Sequence, residues 1–548
     1  MSLLELPVVA PPRGRHSREP MRPSSARRER RVLVGLLAIA YAALGFVLVL
    51  RYGSVSIDAV ARVANAAFVL DSRDPHLSAI GFVWNPLPSL LAVPFVPLKA
   101  WWPALVSRGL IGNALSAVTM ALAIGVFHAL LEDLGTPRRR RLVLTLLLAL
   151  NPIVVFYGAN GMSEAYLLVT LMWASRALVA WFRFSRTSSL VSCGLALAVA
   201  YLARYEAVAA AAAVGLLVLV VTWRREQGSH AERFRVARAD AVLVTLPFAV
   251  CFVAWAAVSW IVVGAPFQTL SSTYGNSAQV ADKLGSIQEV TGHDLAQRSG
   301  YLGEQLLALA PLLALVLLLV LWRARRAGQR WLLAPVAAFG GVLAFQSLAF
   351  LAGGTFGWLR FSLTAVPLAA CLAAGLASPL LGAQRRSRLL AVGVLVASAV
   401  GSGWVMTSPR LAREESSQLA AVVDRADASA GQRDALRRFT SERRIAHYLD
   451  GLHLPDGSVL LDTGAAFATV IESSDPKQFV ITSDLDFRAV LADPGVYGVH
   501  YVVVSDNDLD VVSKTYPGGR EGSFPNASLV LQLPPVGGPT SYWVYRLT

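Results

Sequence analysis

Long uncharged apolar stretches alternate with short charged clusters through the first 407 residues of the chain. The stretches 32–50, 308–322 and 391–408, for example, contain no charged side chain at all. An apolar run of roughly 17–25 residues crosses the hydrocarbon core as a helix, because a helix satisfies its own backbone hydrogen bonds there. The pattern therefore predicts a polytopic α-helical membrane protein.

The apolar pattern predicts about eleven spans, each long enough to cross the bilayer. They are residues 32–50, 104–131, 142–158, 164–182, 189–203, 206–222, 241–263, 303–322, 331–352, 361–381 and 388–407. Two long loops, 51–103 and 264–302, separate some of these spans. The first loop begins with an amphipathic stretch, 57–70. Prolines interrupt its later half, which we expect to lie along the membrane surface.

Composition and charge agree with this reading. Only 15% of residues are charged, whereas a soluble globular protein usually has about 25%. The formal net charge is +14, but the positive charge sits in clusters on alternate loops. Such clusters set membrane topology by staying in the cytoplasm. They predict a cytoplasmic N-terminus and argue against nucleic-acid binding. The 45 Arg against four Lys suggest a bacterial source, and hence a bacterial plasma membrane.

The assignment of sides depends on the 34-residue apolar stretch 189–222, which Arg204 and Glu206 interrupt. If this stretch were one long helix, every later basic cluster would fall outside. Two short spans that meet near Arg204 keep these clusters inside, so we favour the split.

The ends of the chain differ from the apolar part. Residues 1–31 are rich in Pro and Arg and predict a disordered cytoplasmic tail. Residues 408–548 carry 13 basic and 18 acidic side chains, with short apolar runs between Gly, Pro and Asp. This pattern predicts a soluble α/β domain at 408–548, which lies outside if the number of spans is odd. The membrane domain would then be 32–407.

The first outer loop carries the clearest candidate for chemistry. Asp58 lies just after the first span, where it is either a solvated loop charge or a general base at the membrane surface. Asp71, Asp74 and His76 follow in the same loop. They form either a hydrophilic turn or a group that positions a sugar or binds a divalent cation.

Further charges occur at span ends. Glu164 follows Ser163 and could simply favour the positive end of the next helix. Arg204 and Arg360 are predicted on the outer face, in apolar surroundings where an ionisable group is costly. Both could bind a phosphate through bidentate hydrogen bonds, and the alternative for Arg204 is a pair with an acidic neighbour.

Several of these motifs, taken in order, resemble the GT-C superfamily. Its members are polyprenyl-phosphate-sugar-dependent glycosyltransferases, including protein O-mannosyltransferases and lipid A aminoarabinose transferases. The resemblance covers about residues 30–410. It rests on five motifs: the acidic start of the loop at Asp58, Asn85-Pro86-Leu87-Pro88 before Arg108, Pro152 to Glu164, Leu202-Ala203-Arg204-Tyr205-Glu206, and Arg360-Phe361-Ser362-Leu363 with Pro367.

The resemblance implies an inverting transfer of a sugar, such as the hexose mannose, from a polyprenyl phosphate. The acceptor would be a glycan, lipid or protein on the outer face. Asp58 would be the catalytic base. The substrate-binding candidates are Asp71, Asp74, His76, Glu164, Arg204, Tyr205, Glu206 and Arg360. No cofactor is implied with certainty.

The sequence departs from the family pattern in one respect. Many members have two adjacent acidic residues in the first loop, whereas Asp58 stands between Ile57 and Ala59. This leaves the base open between Asp58 and the pair Asp71 and Asp74. A multi-span transporter or lipid flippase is the alternative function. It would typically show an inverted repeat, which we do not find in the sequence.

Overall fold

The computed structural model describes residues 23–326, 328–382, 384–423 and 429–548. Residues 1–22, most of the predicted disordered tail, lie outside this part of the chain. Through residue 407 the described chain is helical. Its α-helices are α1 (Pro23–Tyr52), α2 (Ile57–Asp71), α3 (Leu87–Ala92), α4 (Ala104–Ser107), α5 (Leu110–Asp133), α6 (Arg138–Ala149), α7 (Pro152–Ala159), α8 (Glu164–Phe184), α9 (Thr187–Ala203), α10 (Ala207–Arg225), α11 (His230–Val263), α12 (Gln268–Ser271), α13 (Asn276–Asp282), α14 (Leu284–Thr291), α15 (Leu295–Leu309), α16 (Leu313–Arg326), α17 (Ala334–Leu351), α18 (Ala365–Leu376) and α19 (Arg385–Val405).

Short 3₁₀ helices connect some of these elements. Their bounds are Leu77–Ile80, Val93–Ala100, Arg330–Leu333, Leu359–Ser362 and Pro379–Leu381, with Pro476–Gln478 and Pro517–Glu521 in the C-terminal region.

Most of the predicted spans appear as single long helices. Eight helical stretches in the described part are long and apolar enough to cross a membrane: Ala26–Tyr52, Leu110–Asp133, Glu164–Phe184, Ala207–Arg225, His230–Val263, Arg330–Leu351, Leu359–Leu376 and Arg385–Val405. The pairs α6 with α7 and α15 with α16 are bent by 65° and 81°, and counting each as one span gives ten. The apolar helix α9 has 17 residues. All eleven predicted spans coincide with these helices, which confirms a polytopic helical membrane protein.

The split predicted near Arg204 is present. Helix α9 ends at Ala203 and α10 begins at Ala207. At the far end of α10, the Nη1 atom of Arg225 donates to the Oγ atom of Ser185, 3.1 Å away and two residues before α9 begins. The start of α9 and the end of α10 are therefore neighbours. The two helices form a hairpin whose turn contains Arg204.

The first helix begins earlier than predicted. Residues 23–31, assigned from the sequence to a disordered tail, belong to α1. The reason is a cluster of ion pairs, in which Glu29 accepts from Arg141 (3.1 Å) and from Arg138 and lies 3.2 Å from the His128 ring. These contacts fix the first turns of α1 against α5 and α6.

The second predicted span begins later than expected. The sequence pattern placed its start at residue 104, but α5 starts at Leu110. Gly109 has φ +69°, a left-handed conformation that ends a helix and that glycine adopts without strain. A Cβ atom at Gly109 would also lie 3.0 Å from Val60 of α2. This glycine therefore lets α2 pack closely against the start of α5.

The C-terminal region is an α/β domain, as predicted. Its elements are α20 (Arg413–Val423), α21 (Ala430–Ala435), α22 (Thr440–Asp450), β1 (Val459–Leu460), α23 (Thr463–Glu472), β2 (Phe479–Val480), α24 (Phe487–Ala492), β3 (Tyr501–Ser505), α25 (Val511–Thr515), β4 (Ala527–Leu533) and β5 (Tyr542–Leu547). The strand order is β2-β1-β3-β5-β4. Strands β1, β2 and β3 are parallel, while β5 runs antiparallel to β3 and β4.

Helix α2 joins the domain to the membrane helices. Its buried residues Ala64, Phe68 and Val69 belong to the same apolar core as Val459 and Val503 of the sheet. Because α2 directly follows α1, this packing holds the C-terminal domain over one end of the helical bundle.

Candidate functional site

The two residues Asp58 and Arg360 meet at the end of the bundle that faces the C-terminal domain. Asp58 lies in the first turn of α2, and Arg360 lies in the 3₁₀ helix Leu359–Ser362 that precedes α18. The Nη1 atom of Arg360 donates to Oδ2 of Asp58 at 3.0 Å. The Arg360 guanidinium stacks on the ring of Trp358, with 3.9 Å from Cζ to the ring centroid. These contacts position the cation and leave its Nε atom without a hydrogen-bond partner among the described residues.

Arg204 lies close by, but acidic side chains occupy most of its nitrogens. Its Nη2 and Nη1 atoms form ion pairs of 2.6 Å with Glu206 and with Glu164, respectively. Nη1 also donates to the Oγ atom of Ser163 at 3.0 Å. Gln346 donates to Glu206 at 2.7 Å. Arg204 therefore pairs with acidic neighbours, which is one of the two interpretations that the sequence left open.

A small cavity lies between these groups. Arg204 and Arg360 both line it, together with Glu164 and Glu206. Asp58 is hydrogen-bonded to Arg360 at its edge. The rest of the lining is largely apolar and includes Leu167, Leu168, Val342, Phe361 and Leu363. The cavity thus combines charged groups with an apolar wall.

Arg62 is a member of this group that the sequence reading missed. It is 8% exposed, and its guanidinium lies over the Trp84 ring at 4.7 Å. Its Nε and Nη1 atoms have no hydrogen-bond partner within the described chain. Burial lowers the pKa of Arg62 to about 10, while the nearby Asp58 carboxylate opposes that change. The signal was present in the sequence, because Arg62 follows Asp58 by one helical turn and so shares its face of α2.

Glu414 and Glu415 also reach the site, from the start of α20. The Oε2 atom of Glu414 lies 3.6 Å from Nη1 of Arg360. Tyr157 donates to Glu415. Burial raises the pKa of Glu414, and burial together with the Glu414 charge raises the pKa of Glu415 to about 7. Nothing local in the sequence indicated this proximity, because more than 350 residues separate Asp58 from Glu414.

The electrostatics of Asp58 reflect these neighbours. Burial alone would raise its pKa, since it disfavours the charged form. The Arg360 and Arg62 charges outweigh that effect and hold the pKa of Asp58 below its ordinary value. Asp58 is therefore ionised at neutral pH, and its side chain is still 34% exposed.

The other candidates from the first loop lie at the opposite end of α2, towards the C-terminal domain. Asp71 forms an ion pair with Lys99 at 2.7 Å. Asp74 accepts a hydrogen bond from the backbone N–H of Leu485 and lies 3.8 Å from His76. The Leu485 contact joins the loop to the C-terminal domain, and none of these contacts involves Asp58.

The last sequence-derived candidates are Tyr205 and a metal site. Tyr205 is half-buried beside Arg204, with its ring edge-on to Phe345 at 6.2 Å. Within the described ranges, no group of three or more His, Cys, Asp or Glu side chains could hold a metal ion.

No family model matches this sequence, and no curated protein matches it. Two solved structures are similar in fold. ArnT from Cupriavidus metallidurans bound to undecaprenyl phosphate is 14% identical, with a TM-score of 0.49 over 94% of this chain and 97% of that chain. A mutant of the arabinofuranosyltransferase AftD from Mycobacteria is 18% identical, with a TM-score of 0.41 over 93% of this chain and 41% of that chain. Similarities this distant carry no functional conclusion.

Proposed function

We propose that this protein is a multi-pass membrane glycosyltransferase of the GT-C type. It would transfer a sugar, such as a hexose, from a polyprenyl phosphate to an acceptor hydroxyl or amine on the outer face of the plasma membrane. The observation that carries the proposal is the meeting of Asp58 with Arg360 and Arg62 at one end of the bundle. A carboxylate next to two guanidinium groups is suited to proton removal and to phosphate binding in the same step.

The proposed reaction is a single displacement. The acceptor oxygen or nitrogen forms a bond to the anomeric carbon, and the bond from that carbon to the phosphate oxygen breaks. The polyprenyl phosphate leaves as an anion, so no strong general acid is needed. The acceptor's proton goes to Asp58, and the anomeric configuration inverts because attack and departure occur on opposite faces.

Arg62 and Arg360 are the best candidates for binding the phosphate. Both are buried, and both have guanidinium nitrogens without a hydrogen-bond partner among the described residues. Unbonded nitrogens on a buried cation are costly, and an anion between the two arginines would bind them. Arg204 would instead hold Glu164 and Glu206 in place at the cavity wall.

The position of Asp58 supports its role at the lipid–water boundary. Only residues 53–56 separate the end of α1 from the start of α2. The membrane helix therefore keeps Asp58 near the depth of a lipid phosphate, and part of the adjoining cavity wall is apolar. Asp71, Asp74 and His76 are too far along α2 to share that position, since 15 helical residues span about 22 Å.

A transporter or flippase is the competing proposal. Its charges would be expected along a central passage near the bilayer midplane. Here Asp58, Arg62, Arg204, Arg360 and Glu414 gather at one end of the helices. This arrangement favours chemistry at one membrane face.

A direct test uses membranes that contain the overproduced protein. They are incubated with a panel of polyprenyl phosphates that each carry one radiolabelled sugar. The proposal predicts that label from one donor moves out of the donor lipid into another product, with release of polyprenyl phosphate. It would be contradicted if every donor stayed intact while labelled lipid crossed the bilayer, as a flippase would cause.

A further inference from the structure

Two carboxylates approach the same nitrogen of one arginine in the site. Asp58 accepts a hydrogen bond from Nη1 of Arg360 at 3.0 Å, and Glu414 lies 3.6 Å from that nitrogen without a hydrogen bond. The Arg360 side chain is 6% exposed, so solvent hardly screens either contact. The two carboxylates are thus alternative partners of one fixed cation.

Hydrogen bonds join the two segments that carry these carboxylates. Gln418 lies one turn after Glu414 on α20, and its Nε2 atom donates to the Oγ atom of Ser56 at 3.1 Å. Ser54 donates to Oε1 of the same glutamine at 3.4 Å. These bonds fasten α20 to the residues between α1 and α2. Glu414 therefore stays next to Asp58 although it belongs to the segment that follows the last membrane helix.

We propose that Glu414 is a positioning residue, which competes with Asp58 for Arg360 and so frees Asp58 to take the acceptor's proton. The inference rests on the proposed function. A carboxylate that is bound to a guanidinium has one oxygen occupied and is a weaker base. When the donor phosphate binds, Glu414 offers Arg360 a second anionic partner in place of Asp58. The released carboxylate then turns to the acceptor.

The step is balanced. The acceptor loses one proton to Asp58 as its bond to the anomeric carbon forms, and the phosphate leaves with the electron pair of the broken bond. Glu414 keeps its charge throughout. Its role is to let Arg360 shift from Asp58 towards the phosphate without an unpaired cation remaining in a buried place.

The charges around both carboxylates determine the expected effect of pH. The charged side chains near Glu414 are Arg360, Asp58, Glu164 and Arg438. Its neighbour Glu415 accepts a hydrogen bond from Tyr157. The charged side chains near Asp58 are Arg360, Arg62 and Arg204. Without the negative charge of Glu414, nothing on that residue offsets the positive charges of the arginines, which favour the ionised form of Asp58. The pKa of Asp58 must then fall further.

The experiment is a pH profile of kcat/KM for sugar transfer by the full-length protein in proteoliposomes. Glu414→Gln should lower the rate at neutral pH by about tenfold, because Asp58 stays bound to Arg360 and is less basic. The acidic limb of the profile should move to lower pH by about one unit. Glu414→Asp, which keeps the charge, should restore the limb towards its wild-type position. Glu304→Gln is the matched control, since Glu304 pairs with Arg410 at the surface.

Two results would overturn the inference while leaving the proposed function intact. The first is a Glu414→Gln protein with a wild-type rate and profile. The second is a loss of rate with an unmoved acidic limb, which would indicate a structural role only. A wild-type protein that transfers no sugar from any polyprenyl phosphate would overturn both proposals.

Discussion

The arginines at the site differ in how fully their nitrogens are bonded, and this difference separates their roles. Arg204 is bound by Glu164, Glu206 and Ser163. Arg62 is equally enclosed by the protein but has two nitrogens without a partner among the described residues. A buried cation without partners reduces stability, and natural proteins accept such a cost mainly where it serves a function.

Arg62→Leu should therefore make the protein more stable and less able to bind its donor. The substitution removes an unpaired buried charge and keeps an apolar side chain against Trp84. We expect the melting temperature in detergent to stay level or rise, and the affinity for polyprenyl phosphate to fall about tenfold or more. Thermal unfolding and lipid binding by native mass spectrometry measure the two effects. Unchanged lipid affinity would contradict the proposed phosphate contact.

Arg204→Ala should behave in the opposite way. It leaves Glu164 and Glu206 buried without their cation, and breaking such a group typically costs about 3–5 kcal/mol. We expect a clearly lower melting temperature and less protein in the membrane, with lipid affinity preserved in whatever protein folds. A stable Arg204→Ala protein with weak lipid binding would instead assign the phosphate to Arg204.

Residue types alone could identify part of this site. Asp58, Arg204 and Arg360 were recognisable because an ionisable residue next to an apolar span is costly and usually has a function or a charged partner. Arg62 could have been found from its helical spacing to Asp58. Glu414 could not, because its position depends on how a segment beyond the last span folds back over the bundle.

At the scale of elements, the sequence predicts the presence of each membrane helix better than the residues at which it begins and ends. All eleven spans follow from the apolar pattern, and so does the α/β character of the C-terminal domain. The predicted start of α5 was wrong because Gly109 ends the preceding short helix. The predicted start of α1 was wrong because an ion-pair cluster orders residues whose composition is typical of disorder. The ion-pair cluster and the packing of Gly109 against Val60 both join residues distant in sequence, which local patterns do not contain.

Helix α2 is the element that links the site to the C-terminal domain. Asp58 stands at its start, and the loop after its end contacts residues 484–486. There Arg73 lies 3.3 Å from the buried Asp484, whose second oxygen has no hydrogen-bond partner within the described chain. Burial raises the pKa of Asp484 to about 6. The attachment of the domain therefore depends on pH between about 4 and 6.

The sign of that sensitivity follows from the raised pKa. The folded protein binds the Asp484 proton more tightly than the unfolded chain does, so this contribution to stability is full below about pH 4. It is lost as the pH rises through about 6. Asp484→Asn cannot titrate. We expect its melting temperature relative to wild type to increase by several degrees between pH 4 and pH 7. A difference that is constant with pH would contradict the assignment.

At the scale of the whole molecule, the charges are sorted between the two ends of the bundle. The basic clusters predicted on the cytoplasmic side are neighbours: Glu29 of α1 binds Arg138 and Arg141, and Arg140 and Arg388 line one cavity. The site and the acidic C-terminal domain occupy the other end. This separation agrees with the positive-inside rule and predicts which end faces the cytoplasm.

Reporter fusions at residues 140 and 450 test this orientation. We expect a fusion at 140 to report the cytoplasm and one at 450 to report the outside, because cytoplasmic loops retain the arginine clusters. An external signal at 140, or an internal one at 450, would place the site on the wrong side for the proposed reaction.

The most direct test of the account is the rate of sugar transfer by Asp58→Asn in proteoliposomes, measured in a single turnover. Asparagine keeps the size and hydrogen bonding of the side chain but cannot accept the proton. Asp71→Asn serves as the control at the far end of α2. The account predicts a loss of about 10²–10⁴ for Asp58→Asn at unchanged protein level, and a much smaller loss for Asp71→Asn. Near-normal turnover by Asp58→Asn would contradict it.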